Sequence, residues 1–156
     1  VNRPDSHTFE ELRDLYQEVI LDHGRKPRNH FRLETFDASA RGDNPMCGDR
    51  VELFLALDGE RIARASFLGR GCAVSQASAS LLTELVPGLT RAEAKGLAAR
   101  LYDMAKSGAR DDTTEALERL SALSGVHEFP SRVKCATLAW HALDAALDGV
   151  KEASSE

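Results

Sequence analysis

The sequence predicts an α+β fold, a small three-stranded antiparallel sheet with helices packed on it, and three observations carry that prediction. An alternating apolar segment between Arg50 and Leu57 is followed by Asp58-Gly59, a hairpin signal, and by a second strand-like run from Arg61 to Leu68. From Val74 onward the apolar spacing switches to the helical period. At 156 residues the chain has the length of one domain, and no internal repeat or long linker divides it. Strands first and helices afterwards place the helices on one face of an antiparallel sheet.

In chain order, residues 1–7 read as a mobile lead-in. Between Thr8 and His23, Phe9, Leu12, Leu15, Tyr16, Val19 and Ile20 mark one face of a helix, with Gly24 and Pro27 as its stop. His23, Arg25, Lys26 and Arg28 cluster at that end, where cations suit the helix dipole and a solvated helix end explains them. Phe36–Ala40 suggests a short edge strand ahead of the hairpin. Val74, Ala77, Ser78, Leu81, Leu82 and Leu85 form an apolar stripe that Pro87-Gly88 ends. The small Ala-Ser-Ala-Ser run at 77–80 lets that helix sit close to a neighbour. Thr90 with Glu93 reads as a capping box opening a helix to about Lys106. Thr113–Leu123 is a further short helix, with Asp111-Asp112 as its start cap. From Val133 the spacing of Cys135, Leu138, Ala139, Ala142, Leu143, Ala146, Leu147 and Val150 predicts a last helix, and Lys151–Glu156 reads as a disordered polar tail.

The net charge of −5 arises from mixed charges, with no basic stripe interleaved with aromatics, so nucleic acid is not an expected partner. The longest apolar run, Leu53–Leu57, is far too short to span a bilayer, and the first residues lack a signal-peptide core. A cytoplasmic protein without a membrane partner is expected.

Three cysteines without an export signal argue for free thiols or metal ligation rather than a disulfide framework. Each lies at an element boundary: Cys47 in the loop before a strand, Cys72 at a helix start after Gly69-Arg70-Gly71, and Cys135 in the first turn of the last helix. A helix N-terminus favours thiolate, and Arg70, Arg132 and Lys134 push the same way. In Asn44-Pro-Met-Cys-Gly-Asp49, Cys47 and Asp49 flank a glycine able to bend the backbone, and in an extended chain they would project together. Three thiolates and one carboxylate make a tetrahedral ligand count suited to zinc or an iron–sulfur cluster. The intervals of 25 and 63 residues match no zinc finger or ribbon, so the ligands would meet from distant segments. The histidines compete poorly. His141 lies about 240° round the helix from Cys135, His127 is in a loop, and His7, His23 and His30 read as surface residues. Gly69-Arg70-Gly71 resembles an anion nest but lacks the Lys-Ser/Thr of a P-loop.

Four segments, Asp14–His23, Asn44–Asp49, Gly69–Ser80 and Arg132–Trp140, resemble the U-type iron–sulfur cluster assembly proteins, the SufU/IscU family, with all three Cys motifs in order. The resemblance implies that Cys47, Asp49, Cys72 and Cys135 take the positions of the metal-site residues. It further implies a Zn²⁺-bound sulfur acceptor that receives persulfide sulfur on Cys47 from a SufS-like cysteine desulfurase, with Arg132 and Lys134 stabilising charge or docking. The alternative it carries is a scaffold for a transient [2Fe–2S] cluster delivered to apo-proteins or downstream assembly machinery. Lys134 stands where the IscU branch is expected to carry His, a Leu-Pro-Pro-Val-Lys chaperone motif is missing ahead of it, and the Cys72–Cys135 interval is long through residues 88–112. These departures resemble SufU.

Overall fold

The structure is a computed structural model that describes residues 17–46 and 48–154. The expected lead-in, the first half of the first helix, His7, Cys47 and residues 155–156 lie outside the described residues. Helix α1 covers 17–25. Strands β1 (Ala38–Asn44), β2 (Asp49–Asp58) and β3 (Arg61–Arg70) precede α2 (Ala73–Leu85), α3 (Arg91–Ser107) and α4 (Glu115–Leu120). A 3₁₀ segment (Ser121–Glu128), α5 (Pro130–Leu147) and β4 (Glu152–Ser154) complete the order.

The hairpin forms where the sequence places it: Asp58 pairs with Arg61, and Gly59 takes φ 62 in the tight turn. The sheet, however, has four strands in the order β3-β2-β1-β4, and β4 runs parallel to β1. This corrects both the three-stranded antiparallel sheet and the disordered tail. The backbone of the tail is held by β1, where the Arg41 amide donates to the Lys151 carbonyl (2.8 Å), and Arg41 pairs with the Glu152 carboxylate (3.3 Å). A three-residue polar edge strand has no apolar alternation to betray it. Strand β1 is likewise displaced from Phe36–Ala40 to Ala38–Asn44, with Ala40, Gly42 and Asn44 facing inward. Asp37 precedes it and accepts from the Leu57 amide at 2.7 Å.

One sheet face carries the main core. Leu53, Leu55 and Phe67 pack with Leu81, Leu82, Leu138 and Trp140 from α2 and α5. At Gly42 a Cβ would stand 2.9 Å from Leu138 Cδ1, so α5 crosses β1 at close range. On the other face Phe54 is buried beneath Phe36 (centroids 5.0 Å apart), with the Arg32 guanidinium 5.3 Å from both rings. The free edge of β3 is partly covered, since the Phe67 amide donates to the Asn29 carbonyl and the Gly69 amide to His30 Nε2.

The small residues of α2 bring it against α5 as expected. The Ser78 hydroxyl donates to the Ala136 carbonyl (2.5 Å) and accepts from Trp140 Nε1 (3.1 Å), all within the buried interface. Replacing Ser78 with Ala leaves the buried Trp140 indole N–H without its partner and removes the hydroxyl bond to the Ala136 carbonyl. The expected result is a loss of about 1–3 kcal/mol in equilibrium urea unfolding, with little change in the slope.

The capping box at Thr90 and Glu93 is present, and Gly108 ends α3 with φ 78. The cap of α4 is Thr114, which accepts from the Leu117 amide at 3.1 Å. Asp111 is not that cap; it holds the Thr113 amide and ion-pairs with Arg100. His23 is also not a surface residue. It is 5 % exposed and its Nδ1 shares a 2.7 Å hydrogen bond with Ser80 Oγ, so burial pulls its pKa down.

Candidate metal centre

Four elements end at the same corner of the sheet. Asn44, the last residue of β1, lies opposite Asp49, the first of β2, and Pro45, Met46 and Gly48 lie in turns between them. The Gly48 amide donates to the Asn44 carbonyl (2.8 Å) and Gly48 adopts φ 73, the bend expected of that glycine. The backbone at Gly48 is therefore turned rather than extended, and Cys47 lies outside the described residues.

Strand β3 reaches this corner through Arg70 and Gly71, and Cys72 is the N-cap of α2. The Cys72 sulfur accepts from the Ser75 amide at 3.4 Å, while the Cys72 amide donates to Asp49 Oδ1 at 3.0 Å. Gly71 makes that bond possible: a Cβ there would fall 2.2 Å from Asp49 Oδ1, and its φ of 150 suits glycine. Clearance for a carboxylate, not an anion nest, accounts for this glycine.

Cys135 projects from α5 and is buried, with its sulfur 3.5 Å from the Ser131 carbonyl. It is the sixth residue of the helix, in the second turn rather than the first. Burial, followed by its hydrogen bonds to Asp49 and Cys72, pushes the thiol well above the ordinary thiol range. The expected thiolate-favouring effect of the helix start and nearby cations is thus reversed at Cys135. Helix position was readable in the sequence, but desolvation depends on packing, and here it dominates. Arg132 is exposed beside both sulfurs, which hold its guanidinium more firmly charged. Lys134 is half-buried. Behind the corner, Ala105, Val126 and Ala136 form a small buried cluster with Val74 and Val133, fixing the helix segments that carry Cys72 and Cys135.

Among the described residues, one oxygen of Asp49 and the sulfurs of Cys72 and Cys135 lie within 4.8 Å of one another. An ion with Zn–S arms of ~2.3 Å separates tetrahedral donors by roughly 3.8 Å, so small side-chain movements close the set. Asp49 Oδ2 is buried without a hydrogen-bond partner while Oδ1 is engaged. A buried carboxylate with one unsatisfied oxygen, close to two sulfurs, fits a cation. Of the expected ligands, the structure brings Asp49, Cys72 and Cys135 together. His127 instead contacts the Ser124 carbonyl, and His141 stacks on Tyr102 (4.6 Å), so neither joins this cluster.

A sequence model of the NifU-like N terminal domain matches residues 15–154, nearly the whole chain. The chain belongs to that family. Within the NifU-like domain family it is 41 % identical over 133 residues to the zinc-dependent sulfurtransferase SufU of Bacillus subtilis (strain 168), covering 85 % of this chain and 89 % of that protein. It is 38 % identical to the iron–sulfur cluster assembly scaffold protein IscU of Streptococcus pyogenes serotype M1, covering 87 % and 84 %. Among solved structures, a protein assigned as an iron–sulfur cluster assembly scaffold for the SUF system of Fervidobacterium islandicum AW-1 superposes with a TM-score of 0.77 at 33 % identity, covering 83 % and 94 %. No helix among the described residues is long and apolar enough to cross a membrane.

Asn44 and Gly71 were not singled out as site residues by sequence reasoning. Gly71 had a signal, a glycine directly ahead of a helix-capping cysteine. Asn44 had none beyond opening the Cys47 motif.

The raised pKa of Cys135 sets a sign for metal uptake. At neutral pH the metal-free thiol carries its proton, which leaves when the sulfur becomes a ligand. Zinc affinity should therefore rise with pH across the neutral range and fall on acidification. Calorimetric titrations in buffers of different ionisation enthalpy should show proton release on binding.

Proposed function

We propose that this chain is a zinc-holding sulfur acceptor in iron–sulfur cluster assembly, working in the cytoplasm and loaded by a SufS-like cysteine desulfurase. The observation that carries the reading is the convergence of Asp49, Cys72 and Cys135 within 4.8 Å, with one oxygen of the buried carboxylate left unsatisfied. The 41 % identity to a zinc-dependent sulfurtransferase supports it. Cys47 would complete a four-ligand set from the adjacent loop. Zinc bound there would supply the divalent charge that keeps thiols deprotonated at neutral pH.

The chain's own residues then divide the work. Asp49 is anchored by the Cys72 amide and offers one oxygen, a harder and more exchangeable donor than a fourth thiolate. The Cys47 thiolate attacks the outer sulfur of the desulfurase persulfide. The S–S bond of that persulfide breaks, the enzyme cysteine leaves as a thiolate, and Cys47 now carries the persulfide. One sulfur atom moves with no net oxidation or reduction. Arg132 places positive charge beside the Cys72 and Cys135 sulfurs, and Lys134 adds a second cation on the same helix.

Replacing Cys47 with Ala should abolish persulfide loading while preserving the far-UV spectrum and the unfolding midpoint of the zinc-free protein. Mass spectrometry after incubation with desulfurase and cysteine is the measurement. Undiminished sulfur uptake by Cys47→Ala would overturn the assignment.

The 38 % identity to an assembly scaffold favours a second reading, in which the same ligands hold a labile [2Fe–2S] cluster as cargo. Anaerobic reconstitution with iron and sulfide separates the two. A cluster that forms and passes to an apo-ferredoxin supports the scaffold, whereas zinc that iron does not displace supports the acceptor.

A further inference from the structure

Asn44 shows a second unsatisfied group at the same corner. It is only 2 % exposed, and its Nδ2 amide is buried without a hydrogen-bond partner. Leaving such a donor orphaned is costly, and native structures rarely tolerate it without a use. The orphaned acceptor Asp49 Oδ2 belongs to the residue directly opposite Asn44 in the β1–β2 ladder. A donor and an acceptor on paired residues could relieve each other, yet they have not paired. Each is held for a different guest. The carboxylate oxygen suits a cation. The N–H suits an anion, and the anions this site gathers are sulfur.

We propose that Asn44 is a positioning residue whose side-chain N–H donates to a thiolate sulfur of the metal-loaded site. The idea rests on the sulfur-acceptor reading of the same corner. An N–H···S bond withdraws electron density from a metal-bound thiolate. It makes the sulfur less reactive toward stray electrophiles while leaving it in place for a docked partner. Asn44 then acts as a restraint on the site's reactivity.

The test uses the full chain loaded with cobalt(II) as a spectroscopic probe or with zinc, comparing wild type, Asn44→Ala and Asn44→Leu. The leucine variant keeps the branched shape without the donor. Both variants should shift the sulfur-to-cobalt charge-transfer band to lower energy. Their zinc-bound thiolates should alkylate with iodoacetamide about tenfold faster. The metal-free Asn44→Leu protein should unfold at an unchanged or higher midpoint, because the orphaned amide is gone. Unchanged band position and alkylation rate in both variants would overturn the proposal. Failure of both to fold would do so too, since Asn44 would then serve the turn alone. If wild-type protein accepts no sulfur from a desulfurase but the cobalt band still shifts, the transfer reading fails and the hydrogen bond stands.

Discussion

Gly71→Ala should cost the proposed zinc site its metal. The added Cβ would lie 2.2 Å from Asp49 Oδ1 and 2.9 Å from its Cγ, and the backbone there sits at φ 150. No rotation of an alanine relieves either conflict. Either Asp49 swings away, losing the bond from the Cys72 amide, or the β3–α2 junction moves and carries Cys72 with it. Both outcomes separate the donors that now lie within 4.8 Å of one another. Zinc affinity should fall by about tenfold to a hundredfold, read by competition with a chromophoric chelator. Most of the core is remote from the junction, so the variant should remain folded and keep its helical signal. A Gly71→Ala protein that binds zinc as tightly as wild type would show that Asp49 is not held by this clearance.

Removing zinc has the second large expected effect, and its form separates a working site from a structural one. The main core around Leu53, Phe67, Leu82 and Trp140 is buried independently of the metal ligands. The metal-free chain should therefore stay folded and unfold cooperatively. Zinc should add stability by mass action, about 4 kcal/mol when free zinc exceeds Kd a thousandfold. Thermal scans with and without a strong chelator measure the difference. Melting on chelation at room temperature would instead identify zinc as the staple of the fold and weaken the case for an exchangeable site.

Strong periodic signals transferred well from sequence to structure. The β2–β3 hairpin, the stripe of α2 and the capping box at Thr90 all rest on local rules, and local rules are visible in a chain. What failed depended on tertiary context. Strand β4 is invisible because its partner, not its composition, makes it a strand. The rise in the Cys135 pKa comes first from burial and then from neighbours 86 residues away at Asp49 and 63 away at Cys72. His23 looked like part of a solvated basic cluster, but Ser80 closes over it from α2. That Asp49, Cys72 and Cys135 would come together was legible because their motifs are specific. The glycine that clears space for Asp49 and the orphaned amide of Asn44 become meaningful only when the chain is folded.

Trp140 is the chain's single tryptophan, it is fully buried, and its indole N–H is tied to Ser78 between the two helices that present Cys72 and Cys135. Its emission therefore comes from one site and one environment, with no second fluorophore of its kind to dilute it. Any adjustment of α2 against α5 as ligands gather alters the dipole nearest the indole. On the proposed function the indole is an optical gauge of loading, and stopped-flow fluorescence should follow metal and sulfur traffic in unlabelled protein.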